Sequence, residues 1–149
     1  MTFFKPALLA LTCALALGAC NREEDPEETR EDVAQASADA DAQVAEAARV
    51  AANTAADARQ EVATATDQGA ADVAAAKASA IEDNAGAHYD LALAKADGEL
   101  KIANELCDAK PVAEQDACKI DAKAAFEAAK YEALAIRDRA NKEAAAMKR

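Results

Sequence analysis

The sequence predicts an all-α protein: a long alanine-rich helix, suited to a coiled coil, followed by a disulfide-stapled antiparallel helical hairpin. Three observations predict it. Alanine supplies much of the 52% hydrophobic fraction, and the chain holds only four Gly and three Pro; Ala, Glu, Lys, Gln and Arg are strong helix formers, Gly and Pro strong breakers. Apolar residues recur at helical spacing in both halves. Finally, Cys107 and Cys118 flank Pro111, the one proline beyond residue 26.

The helical signal starts at Asp25-Pro26-Glu27-Glu28. An N-cap Asp, a Pro in the first helical position and a Glu three residues on match a capping pattern. A short acidic tether precedes the helix proper, ending near Asp25 or as late as Asp32, and residues 20–32 are assigned to it. Residues 33–84 then form an alanine-rich rod. Val33 and Val44, and again Val62 and Val73, stand eleven residues apart. That period keeps a narrow stripe on one side of a nearly straight helix. Val50 and Ile81 depart from it. Small residues along the stripe allow close helix approach, and a solvated single helix is the alternative. Uninterrupted, about 50 residues at ~1.5 Å each make a rod on the order of 75 Å. Thr66-Asp67-Gln68-Gly69 is its weakest point, and Asp83-Asn84-Ala85-Gly86 is the stronger break.

Residues 85–149 form the hairpin. Tyr89, Leu93, Ala96, Leu100, Ala103 and Cys107 alternate spacings of four and three, an a/d seam. Lys110-Pro111 interrupts the helix, because proline lacks an N–H and restricts the residue before it. If Cys107 faces Cys118 across the hairpin, facing residue numbers sum to 225 and the apex falls at Val112-Ala113. The rule pairs Ala103 with Ala122, Leu100 with Ala125, Ala96 with Ala129, Leu93 with Glu132 and Tyr89 with Ile136. Closing a loop of about a dozen residues stabilises by roughly 2–3 kcal/mol, mainly by restricting the unfolded chain. A redox or metal site is the alternative. However, ten residues between the cysteines is not a CxxC motif, and two thiols with the single His88 fall short of a four-ligand zinc set.

At the other end, Lys5 precedes an apolar run from Ala7 to Leu17, followed by small residues. This is the order of a secretory signal, and the run is shorter than the ~20 residues that span a bilayer. Leu17-Gly18-Ala19-Cys20 resembles the lipobox of bacterial lipoproteins. The resemblance implies removal of residues 1–19, a diacylglyceryl thioether on Cys20 and an acylated (palmitate-type) N-terminus there. Two or more acyl chains anchor stably where one does not. Residue 21 is Asn; in well-studied Gram-negative lipoproteins an Asp there resembles an inner-membrane retention signal, so Asn21 implies the outer membrane, facing the periplasm. In that compartment the remaining pair, Cys107 and Cys118, is read first as a disulfide.

Without residues 1–19 the chain carries 16 basic and 28 acidic residues, net −12. Such a charge repels nucleic acid and anionic headgroups. Only 16 Leu, Ile, Val and Phe remain among 130 residues, with no Trp, so a thick globular core is unavailable and an enzyme fold is not expected. His88 has no nucleophile or second base nearby in sequence. Pairs such as Asp39/Asp41 and Glu82/Asp83 read as a solvated acidic surface, without the central glycine of a calcium loop. No cofactor motif is present.

Two further resemblances bear on role. The segment from Ala87-His88-Tyr89 through Gly98 and Cys107, with Ala117-Cys118-Lys119 and Ala122-Lys123-Ala124-Ala125-Phe126, resembles alanine-rich, TolA-like-labelled proteobacterial envelope proteins. They imply a helical fold and an envelope location, and no activity. The anchored helix also resembles murein lipoprotein, whose C-terminal lysine is bonded to peptidoglycan. Here the chain ends Ala146-Met147-Lys148-Arg149, so Lys148 takes that role only after trimming of Arg149. The expectation is a non-enzymatic structural or interaction lipoprotein of the envelope. Its expected partners are the membrane through lipid, a second copy, and envelope protein or peptidoglycan. The central repeat is similar to eleven-residue repeats of late-embryogenesis-abundant proteins, which implies the alternative of a stress protectant, disordered until crowded or dried.

Overall fold

The computed structural model describes residues 25–149; the expected export segment (1–19), the expected lipidation site Cys20 and residues 21–24 of the expected tether lie outside the described residues. Three long helices follow one another: α1 Pro26–Ala65, α2 Ala70–Asp108 and α3 Val112–Met147. The all-α expectation holds, with no strand among the described residues. α2 packs against both neighbours, whereas α1 and α3 do not pack on each other. The fold is therefore an open layer with α2 in the middle.

α1 begins where the capping signal lies. Asp25 Oδ1 accepts a hydrogen bond from the Glu27 N–H at 2.9 Å, Pro26 occupies the first turn, and Glu27 and Glu28 place negative charge at the positive end of the helix dipole. Residues 26–32, assigned to the tether, are already helical. Forty residues give α1 a length of about 60 Å.

The rod does not continue through residues 33–84. The chain reverses at Thr66–Gly69, the weaker of the two breaks, and runs helically through Asp83–Gly86, the stronger one. Gly69 explains the first: its φ of 138° lies where side-chain-bearing residues rarely go, and its carbonyl accepts the Val73 N–H to start α2. At the second, Asn84 turns its amide back to the Ala80 carbonyl at 2.7 Å, so the side chain supports the helix instead of leaving it. Gly86 costs about 1 kcal/mol relative to Ala, a cost set against α2's packing on both flanks.

Reversal at Gly69 lays α1 antiparallel on α2. Small residues fill the buried positions of both helices, Ala40, Ala51, Ala58 and Ala65 on α1 and Ala78, Ala96 and Gly98 on α2, and Gly98 meets Ala40 directly. Thr29, Ala40 and Ala51 carry the eleven-residue period in the buried positions, while Val33, Val44, Val62 and Val73 are half-buried beside it. Backbones come close at Gly98, where a Cβ would stand 2.6 Å from that of Ala40.

The α2–α3 hairpin keeps the 225 rule in height and departs from it in facing. Cys107 and Cys118 are bonded, Cα to Cα 5.6 Å. The apex, however, is Ala109-Lys110-Pro111; Val112 already opens α3 because Pro111 takes the extended conformation of an N-cap. Ala125, Glu132 and Ile136, the expected partners of Leu100, Leu93 and Tyr89, are exposed. Each next residue, Phe126, Ala133 and Arg137, turns further inward. The sum rule fixes axial level; α3's own 3.6-residue period decides which side chain at that level faces α2.

Candidate functional site

The largest fully buried side chain among the described residues is Cys107, at 1% exposure. With so thin a core, the disulfide turn is the most specified part of the chain. Gln115, buried at 7%, directs its amide to two carbonyls, Asp108 at 2.9 Å and Lys110 at 3.0 Å. These are acceptors that the end of α2 leaves without helical partners. Alongside, Lys119 reaches Asp108 at 2.5 Å. The hydrogen bond to Asp108 holds the Lys119 ammonium above its ordinary range, against a smaller opposing effect of burial. The turn is thus closed by a covalent bond, a side-chain cap and an ion pair within one helical turn.

Because α1 folds back, its N-terminus lies at this same end. Asp32 and Glu105 line one groove there, and Gln43 Oε1 accepts from Lys101 Nζ at 3.4 Å. The opposite end of the layer holds the Thr66–Gly69 turn, the start of α2 and the C-terminus, where Lys148 Nζ meets Glu82 at 2.7 Å. Lys148 is therefore ion-paired and far along the layer from the disulfide.

Between α2 and α3, toward that far end, runs an open groove of about 720 Å3. Ile81, Tyr89, Ile136, Met147 and several alanines line it. The Arg137 guanidinium stacks on the Tyr89 ring at 4.6 Å, a cation–π contact that holds one wall. Ile136 and Met147 remain 59% and 41% exposed. His88 sits on the groove's rim, exposed, in the middle of α2. The α1–α2 grooves are different in kind, lined by acids such as Asp32, Asp39 and Glu105, or Asp57, Glu61 and Asp90.

Among the described residues no group of three or more His, Cys, Asp or Glu could hold a metal ion. No described helix is long and apolar enough to cross a membrane. The structure brings Cys107 and Cys118 together and leaves His88 and Lys148 apart from them and from each other. Gln115, Gly98 and the groove were not singled out from the sequence. A Gln four residues beyond the turn proline and a Gly flanked by helix formers on the seam-bearing helix were the available signals. No family model matches the chain, and neither curated proteins nor solved structures provide a match.

Proposed function

We propose that the chain is a non-enzymatic structural or interaction lipoprotein of the bacterial envelope. It is exported, cut before Cys20, acylated there and held on the outer membrane, facing the periplasm. The observation that carries this reading is the position of the first helix. Its cap, Asp25, follows the lipobox cysteine by five residues in sequence and lies at the same end of the layer as the disulfide turn. The turn then stands next to the bilayer, and the far end, with Lys148, projects about 60 Å into the compartment at ~1.5 Å per residue. That separation supports a role as a short stand-off presenting surfaces of α2 and α3 to another envelope component. Lys148 at the distal end is also where attachment to peptidoglycan requires it, once Arg149 is removed.

Mass spectrometry of the protein from its membrane fraction tests the anchor. The expected N-terminus is Cys20 carrying diacylglycerol, and Cys20→Ser is expected to release the chain from the membrane. An unmodified N-terminus at any other residue overturns the proposal. Circular dichroism of the delipidated form separates this reading from the stress-protectant alternative: strong helicity in dilute buffer supports a folded stand-off, and a coil spectrum that becomes helical only in cosolvent supports the alternative.

A further inference from the structure

The α2–α3 groove stands out chemically from the rest of the molecule. The chain carries 28 acidic residues, and both α1–α2 grooves are lined by several of them. No Asp or Glu lines the α2–α3 groove; its ionisable wall residues are Lys77, Arg137, His88 and Tyr89. Arg137 is engaged, stacked on Tyr89 and 3.4 Å from Asp138. Lys77 is exposed and makes no ion pair among the described residues. It stands at the lower end of the groove, near Met147, and the groove ascends from there to Ala92 and Ala133.

We propose that this groove binds one long-chain fatty acid, with the carboxylate at Lys77 and the tail running up between α2 and α3. Three features fit that occupant. The volume lies in the range of small-molecule sites, roughly 300–1,000 Å3. The rise from Lys77 to Ala92 is about 22 Å at ~1.5 Å per residue, and a bilayer core of ~30 Å is two tails deep, so one tail is accommodated. The walls are alkyl and aromatic with a free cation at one mouth, which complements an amphiphile with a negative head. Ile136 and Met147, exposed on the rim, gain cover when the tail is present. Nothing here depends on acylation of Cys20; the two proposals fail separately.

Fluorescence titration of the purified protein, residues 20–149, with cis-parinaric acid tests the site, with palmitate as competitor. Saturable binding of one probe per chain is expected, displaced by palmitate at least tenfold more effectively than by hexadecyltrimethylammonium, which carries the same tail on a positive head. Ala85→Glu and Ala140→Glu place a charge in the groove and are each expected to weaken binding more than tenfold. Lys77→Gln is expected to weaken it about fivefold and to remove the preference for the negative head. Circular dichroism melts identify any variant that fails to fold, and Lys77→Gln, at an exposed position, keeps the test available if both groove variants do. Equal competition by the alkylammonium overturns the proposal, as does binding that survives the variants in folded protein. So does a concentration-dependent dimer abolished by Ala85→Glu, since a second copy then occupies the groove.

Discussion

The two helix pairs of this layer share α2 and are held together by different means. On α1 the buried positions are almost all alanine, and α1 and α2 come close enough that one added Cβ at Gly98 collides with Ala40. Between α2 and α3 the helices carry bulkier residues, leave an open groove, and are fastened at one end by the disulfide, Gln115 and Lys119. Close approach can replace large apolar side chains, because dispersion contacts accumulate along the whole length of a tight interface. Where the spacing is wider and the residues are still few, the chain uses a covalent bond. One pair is specified everywhere a little, the other strongly in one place.

Breaking the strong point is expected to have the largest effect. Reducing Cys107–Cys118, or replacing Cys118 with Ser, removes about 3 kcal/mol of stabilisation on the chain-entropy estimate for so short a loop. At ~2–8 °C per kcal/mol for a body of this size, the melting temperature falls by several degrees or more. Hydrogen exchange should speed in α3 and the end of α2 before α1. A melt that is unchanged by reductant removes the disulfide's structural role.

The diffuse interface is tested by a pair of glycines with opposite expected signs. Gly98→Ala forces α1 and α2 apart at Ala40, and overpacking of this kind costs about 1–3 kcal/mol. Gly86, twelve residues before Gly98 on the same helix, has nothing within 4 Å of the position a Cβ would take. Gly86→Ala therefore gains helix propensity without a clash and stabilises by up to about 1 kcal/mol. Urea unfolding of the two variants measures both. If both stabilise, α1 is not seated on α2 at Ala40.

The same contrast explains what could be read from the sequence. The hairpin was legible because its determinants are punctuated: two cysteines, a proline and a seam of Tyr and Leu each mark a position. Its height rule held from Cys107–Cys118 to Tyr89, next to Arg137. Facing was not legible, since the choice between Ile136 and Arg137 depends on how α3 is rotated about its axis. The α1–α2 pair was read as one rod because alanine is both a helix former and, here, the residue at four of the five buried positions of α1. A buried Ala58 and an exposed Ala56 look alike in sequence. The motif at Gly86 reads as the stronger break than that at Gly69, yet only the backbone at Gly69 leaves the helix. The apolar groove was hidden for a related reason: its lining residues are spread over two helices that meet only after the hairpin closes.

The smallest expected effect separates the ion pair from the other two fastenings of the turn. Asp108 raises the Lys119 ammonium above its ordinary value of 10.5. The pair's contribution is then fully present below the unfolded value and lost as pH rises through the higher folded one. The lysine side chain is 42% exposed, so solvent screening holds the contribution to a few tenths of a kcal/mol. Lys119→Arg keeps its charge throughout, because guanidinium deprotonates only above about pH 12. Between about pH 9 and about pH 11.5 the wild type should lose a few tenths of a kcal/mol more stability than this variant in urea unfolding. Identical losses would leave the disulfide and the Gln115 cap as the only fastenings that matter at the turn, and would narrow the difference between the two helix pairs to covalent closure and one amide.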